Sequence, residues 1–380
     1  MKAVGLMSGT SLDGIDCVIA NIKEENGKIK IEEIAKKTYP YEKEVILKIL
    51  DAMSLDKSSS KLICSLNFEL GYVFANCIQK LLDEANIKSS EIDFIASHGH
   101  TIYHNVDESN GYFFSSLQIG EGAVIANTLN ITTISNFRCA DIAVYGTGAP
   151  LVPYADYVLF HDDNKTRAIH NIGGISNLTL LDKNFNIDDV IGFDTGPGNM
   201  MINYATKKFY NLEYDKDGLI ASKGNVINKM LDELLDNDYF KMVPPKSTGR
   251  EMFGDEYTEY IINKYKLEKK EDIIKTLTLF TAKTISNAYL DFIISDHDLK
   301  EIIFCGGGAY NKYLIKLIQK ELPKIKISLL DDYGYDSSFK EAIAFIILGY
   351  LTIHKRPSNC MATTGAKKRV IQGQINEVIK

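Results

Sequence analysis

Closely spaced cysteines are missing from this chain of 380 residues. Its six cysteines (17, 64, 77, 139, 305 and 360) include no CxxC pair, which argues against a zinc ribbon or a disulfide framework and points to a reducing compartment. Long apolar runs are missing too. The most hydrophobic stretch, residues 342–351, falls well short of the roughly 18 residues expected of a membrane span. The chain has no basic block. Lys plus Arg number 43 against 50 Asp plus Glu, a net charge of −7, so the electrostatic footprint of a nucleic-acid binder is absent. A local positive pocket for an anionic substrate remains compatible with that balance. Met1-Lys2 runs into a Gly/Ser/Thr stretch too soon to leave room for a signal-peptide core. The expectation is a cytoplasmic protein with no membrane and no nucleic-acid partner.

What remains is an ordinary globular composition. Hydrophobic residues at 45% exclude wholesale disorder, and the length suits two domains or one large α/β unit. Residues 2–7, 15–22 and 28–35 read as strands, the last alternating Ile with charged residues. Asn26-Gly27 between the second and third is a strong hairpin signal. Helical patterns follow over 42–53 and 59–86, then a strand at 92–97, a helix near 121–129 and a strand near 131–135. A second block from about residue 167 repeats this grammar. Strands are expected at 168–171, 178–181, 189–193 and 302–305, and helices after Gly198 and over 271–294, 311–322 and 338–352. The halves share element order, not residue identity. Residues 241–250, with Pro244-Pro245, form the clearest loop.

Three glycine-rich turns join these elements. The first is Met7-Ser8-Gly9-Thr10-Ser11-Leu12-Asp13-Gly14-Ile15-Asp16. Positive φ at Gly9 and Gly14 can aim main-chain N–H groups at one spot, Thr10 and Ser11 add hydroxyls, and Asp13 can hold a cation or its waters. That is phosphate-and-magnesium chemistry without a Walker lysine, although a tight hairpin with polar turn residues also accounts for the pattern. The second turn, Asn171-Ile172-Gly173-Gly174-Ile175-Ser176-Asn177, joins two strands, and the third, Cys305-Gly306-Gly307-Gly308-Ala309, joins a strand to a helix. Together they resemble the phosphate and adenosine turns of the actin and sugar-kinase superfamily.

Asp194, at the end of an apolar strand and followed by Thr195-Gly196-Pro197-Gly198, is the best general-base candidate. A helix cap or turn role is the alternative. His98, His100 and His104 lie at spacings that admit a metal, but no acidic partner sits beside them, and a polar substrate edge or satisfied histidines fit better.

The segment from Gly5 to Asp16 resembles the opening signature of anhydro-N-acetylmuramic acid kinases. Phe137-Arg138 with Asp141, Gly148-Ala149-Pro150, the second and third glycine turns, residues 192–199, Tyr214-Asp215, Pro244-Pro245-Lys246-Ser247-Thr248-Gly249-Arg250 and Glu341-Ala342 resemble further family segments in order. The resemblance extends from about residue 3 to Gly373. His100 and Thr147 depart from it, standing where the family usually has Gln. It implies an α/β, two-domain actin/hexokinase-like (ribonuclease H-like) fold with a nucleotide cleft between domains. The first domain is expected over 1–137, completed by the C-terminal segment, and the second over 138–380.

The implied reaction turns 1,6-anhydro-N-acetylmuramic acid, ATP and water into N-acetylmuramic acid 6-phosphate and ADP. By motif match Asp194 is the base. Gly9, Thr10, Ser11, Leu12, Asp13, Gly14, Ile15, Asp16, Gly173, Gly174, Gly306, Gly307 and Gly308 bind ATP, with Mg²⁺ on Asp13, while Thr101, Arg138 and Glu341 meet the sugar. The expected partners are a small-molecule anhydro-sugar and, as an option, a second copy of the chain. Two rival readings are a kinase for another anhydro-sugar such as levoglucosan and a non-catalytic nucleotide switch on the same fold.

Overall fold

Asn26 and Gly27 both adopt left-handed backbone, φ 53° and 75°, the conformation that lets a two-residue turn match strand twist. The hairpin they close sits in the first sheet of a computed structural model that describes residues 1–106 and 111–379. Its strands, in chain order, are β1 (Lys2–Ser8), β2 (Ile15–Glu25), β3 (Lys28–Tyr39), β4 (Phe94–Asn105), β5 (Ser115–Ile119), β6 (Thr133–Ser135), β7 (Thr166–Ile172), β8 (Ile175–Leu181), β9 (Ile191–Pro197), β10 (Leu299–Cys305), β11 (Lys326–Leu329) and β12 (Gln374–Asn376). None of the described helices is long and apolar enough to cross a membrane.

The chain divides into two compact units, Met1–Leu159 with Ser338–Lys380, and Phe160–Ser337. The crossing at 159/160 lies beyond the expected 137/138, and residues 338–380 return to the first unit. That return has a packing cause. Helix Lys340–Ile353 is apolar around most of its circumference and packs against β1, β2 and β4. At Gly5 an added Cβ would lie 2.0 Å from the Ala342 carbonyl oxygen, so glycine is what lets the helix backbone approach the sheet.

In the first unit the sheet order is β12-β6-β4-β1-β2-β3, with β5 on β4. Strands β1, β2 and β3 form an antiparallel meander, and β4 runs parallel to β1 and to β6. Helix Ser60–Glu84 starts where the Ser59 side chain accepts from the Leu62 N–H at 3.2 Å. Its residues Leu66, Leu70, Phe74 and Ile78, at helical spacing, bury themselves in the core of this sheet. The second unit has the order β11-β10-β7-β8-β9, with β7, β8 and β9 antiparallel and β10 parallel to β7 and β11. Each unit therefore repeats one topology, a meander extended by two parallel strands. The shared element order of the two halves thus corresponds to a shared five-stranded topology, to which the first unit adds β5 and β12.

Candidate active site

In the first unit, β1 and β2 pair down to Ser8 opposite Ile15, so residues 9–14 form the connecting turn. Its base is fixed from below. The buried Ser8 hydroxyl hydrogen-bonds to the Tyr41 hydroxyl and to Nδ1 of His100 at 2.7 Å. The Leu12 N–H donates to the Gly9 carbonyl at 3.2 Å, and Leu12, not Gly9, takes the left-handed conformation at φ 60°. Leu12 packs against the unit's core and accepts that backbone because its side chain is held there. Gly14 serves packing, since a Cβ would lie 2.5 Å from Thr38 Cγ2. At Gly9 a Cβ would find only the Ser11 hydroxyl, at 3.7 Å, so this face of the turn is open to a ligand. Thr10, Ser11 and Asp13 are exposed at the tip. The Ile15 side chain is core, leaving only its main chain for a ligand, and Asp16 accepts from the Thr38 hydroxyl at 2.5 Å.

Arg138 is tied down in the same unit. It donates to the Gly148 carbonyl from Nη1 at 2.7 Å and to His98 Nε2 from Nη2 at 2.9 Å. Nε2 must therefore accept, so His98 is neutral and carries its proton on Nδ1, which donates to the Gly99 carbonyl at 2.9 Å. Burial, reinforced by the Arg138 charge, lowers the His98 pKa to about 3. An Arg138–Asp141 pair, the obvious local alternative for Arg138, is not formed. Asp141 instead accepts from the Gly148 N–H, Asn359 and Thr364, at 2.9, 3.0 and 2.9 Å. Glu341, in the first turn of helix Lys340–Ile353, reaches solvent. Desolvation raises its carboxyl's pKa, with Lys340 and Arg138 opposing. The half-buried Thr101 accepts from Gln118 at 3.2 Å. Thr147 turns its hydroxyl onto the Ala149 carbonyl at 2.7 Å. Each of the three histidines makes a hydrogen bond, His104 with Ser116 at 2.9 Å, while Nε2 of His100 is buried with no partner among the described residues, and among those residues no group of three potential ligands could hold a metal.

The second unit brings two glycine turns and the exit of β9 together. The Gly198 N–H donates to the Gly174 carbonyl and the Asn199 N–H to the Gly173 carbonyl, each at 2.8 Å. In the third turn, a Cβ on Gly306 (φ 80°) would lie 2.4 Å from the Asn171 amide oxygen, and one on Gly308 would lie 2.3 Å from Ile172 Cγ2. These two glycines serve turn-on-turn packing. Only Gly307 faces open space, with Asn199 Nδ2 4.0 Å away.

Asp194 lies within β9 opposite Asn177, rather than at the strand's end, because pairing continues to Pro197 past a bulge between Ser176 and Asn177. Its main chain is held twice. The Asp194 N–H donates to the Lys246 carbonyl at 3.1 Å, and the Tyr239 hydroxyl donates to the Asp194 carbonyl at 2.6 Å. The Thr248 N–H donates to Oδ2 at 2.9 Å. The side chain is half-buried, and burial raises its pKa, with the Thr248 hydrogen bond lowering it and the Glu251 charge raising it further. Beside it the Thr248 hydroxyl is buried with no partner among the described residues. A carboxylate with one oxygen anchored, raised basicity and a neighbouring spare hydroxyl is equipped to take a proton from a small polar molecule.

The match to known proteins covers both units. The family model for anhydro-N-acetylmuramic acid kinase matches residues 1–377. The chain belongs to that family. Relatives named anhydro-N-acetylmuramic acid kinase include one from Francisella tularensis subsp. novicida, 52% identical over 98% of both chains. One from Clostridioides difficile is 47% identical over 99% of this chain and 98% of its own, and one from Bacillus cereus is 44% identical over 99% of both. Within this kinase family's framework, sequence reasoning overlooked His98 as the partner of Arg138, and Tyr239 and Lys246 as holders of Asp194. Only long-range contacts reveal them. The Pro-Pro-Lys stretch was legible as a loop, but its lysine has no local pattern that marks it as buried.

Proposed function

We infer that the chain is an ATP-dependent kinase that opens 1,6-anhydro-N-acetylmuramic acid and phosphorylates O6, giving N-acetylmuramic acid 6-phosphate and ADP. Family membership along the full chain supports the substrate, and the anchored, desolvated Asp194 carries the chemistry. In the anhydro-sugar O6 is tied to C1 as an ether and is a poor nucleophile. Asp194 accepts a proton from water as the water oxygen bonds to C1. The C1–O6 bond breaks, and O6 with its electron pair takes the γ-phosphoryl group, releasing ADP. Such transfer needs mainly positioning and charge neutralisation. The turn over residues 9–14 is assigned the phosphates, with Gly9 giving room and Thr10 and Ser11 giving donors. The turns at Gly173-Gly174 and Gly307 are assigned the remainder of the nucleotide.

An exposed carboxylate on the same turn as the Thr10 and Ser11 hydroxyls fits Mg²⁺, which keeps several waters and takes one or two carboxylates plus phosphate oxygens. Asp13 would hold it or its waters, and the ion would neutralise phosphate charge. Arg138, Glu341 and Thr101 are assigned to the sugar. A supply of ATP and cysteines that form no disulfide among the described residues suit the cytoplasm. ADP release measured with a panel of anhydro-sugars tests the reading. Turnover is expected with the muramyl compound, and turnover with levoglucosan alone would hand the chain to the rival specificity.

The turn makes a separate prediction. Gly9→Val places a branched side chain on the open face and is expected to weaken ATP binding about tenfold, as read by calorimetry. Asp13→Asn is expected to shift the Mg²⁺ concentration needed for half-maximal rate upward. Wild-type values for both variants would leave the turn a plain hairpin.

A further inference from the structure

Lys246 is only 7% exposed although it sits in a loop. Its ammonium donates to the carbonyls of Tyr239 and Phe240 at 3.2 and 3.3 Å and lies over the rings of Tyr239 and Phe292, 4.9 and 4.6 Å from their centroids. Two carbonyls and two aromatic faces are what make an inward-turned lysine tolerable. The connections then close on the base. Tyr239 reaches the Asp194 carbonyl through its hydroxyl, Lys246 receives the Asp194 N–H on its own carbonyl, and Thr248, two residues on, grips Oδ2. A small cavity of about 60 Å³ adjoins this ring, lined in part by Thr195, Lys246, Asn287 and Asp291.

We propose that Lys246 is a positioning residue for the ring-opening step, its ammonium fastening the 239–248 segment into a clamp that sets the orientation and basicity of Asp194. The proposal rests on Asp194 being the base. The ammonium itself makes no contact with substrate in this scheme; it acts through Tyr239 and Thr248. Besides the Thr248 N–H, the groups facing Asp194 are Glu251, whose charge raises its pKa, and the Tyr239 phenol. Asp291 faces Lys246, whose own pKa is lowered by burial and supported by that carboxylate. Loosening the clamp weakens the Thr248 N–H bond to the ionised carboxylate. That bond favours the charged form, so its loss raises the Asp194 pKa and moves the acid limb of kcat to higher pH.

The test uses the full-length enzyme with 1,6-anhydro-N-acetylmuramic acid across pH. Lys246→Met keeps the side-chain stem and removes the ammonium. It is expected to lower kcat about tenfold, leave KM within about twofold, and shift the acid limb upward by about half a pH unit or more. Tyr239→Phe removes one hydroxyl from the same ring and is expected to shift the limb in the same direction. It decides the matter should Lys246→Met fail to fold. A lower kcat with an unmoved acid limb makes Lys246 a plain structural lysine and overturns the proposal, as do wild-type profiles in both variants. Asp194→Asn run in parallel separates the two levels. An inactive Asp194→Asn beside wild-type-like clamp variants sinks the clamp alone, whereas an active one sinks the base assignment beneath it.

Discussion

Asp194→Asn is expected to bind ATP normally and to lose kcat by about 10²-fold or more, the contribution typical of a positioned general base. The amide is nearly isosteric, so the hydrogen bonds from Tyr239 and to Lys246, which involve main-chain atoms, persist. What disappears is an oxygen able to take a proton. The substitution leaves the fold in place, and a melting temperature near wild type should accompany the loss. The pH dependence has a definite sign. As the proposed base Asp194 would work ionised, and burial holds its pKa above the ordinary carboxylate value. Activity therefore falls as pH drops through that raised pKa, earlier than for an exposed aspartate. Reaction in ¹⁸O-water gives an independent reading, with label expected at C1 of the product and none in phosphate. Label in inorganic phosphate would indicate ATP hydrolysis uncoupled from the sugar, and near wild-type kcat in the variant would remove Asp194 from the chemistry.

Local signals in the chain were enough to place most of the scaffold. Asn26-Gly27 marks a hairpin by backbone preference, and the spacing of Leu66, Leu70, Phe74 and Ile78 marks a helix face by periodicity. The glycine turns were visible for the same reason. Which glycine does what was not, because that depends on neighbours far along the chain. Gly306 is required by Asn171, Gly14 by Thr38 and Gly5 by Ala342, leaving Gly9 and Gly307 as the open positions of the first and third turns. Likewise Asp141 looks like a partner for Arg138 when only nearby residues are weighed. Its carboxylate is in fact claimed by Asn359 and Thr364, more than 200 positions away. The C-terminal return to the first unit supplies those residues, and no periodicity announces a return.

Release of Arg138 from Asp141 sharpens what its removal should do. N-acetylmuramic acid carries a lactyl carboxylate that levoglucosan lacks, and a net charge of −7 means any cation meeting it must be local. Arg138 is held by Gly148 and by the neutral His98, neither of which neutralises its charge. The carboxylate charge that bears on it is that of Glu341, which reaches solvent. A guanidinium fixed in place by neutral acceptors, with donors to spare among its five N–H groups, suits a planar carboxylate. Such a contact contributes about 1.5–3 kcal/mol, or roughly tenfold to a hundredfold in kcat/KM. Arg138→Met is therefore expected to lose that factor on the muramyl substrate and much less on an anhydro-sugar without a carboxylate. The variant also orphans His98 Nε2 and the Gly148 carbonyl, so some loss common to both substrates is built in. Only the ratio between substrates reports on the carboxylate. An unchanged ratio, with kcat/KM lowered equally for both sugars, would make Arg138 a brace for the 138–148 segment and leave recognition of the lactyl group to other residues.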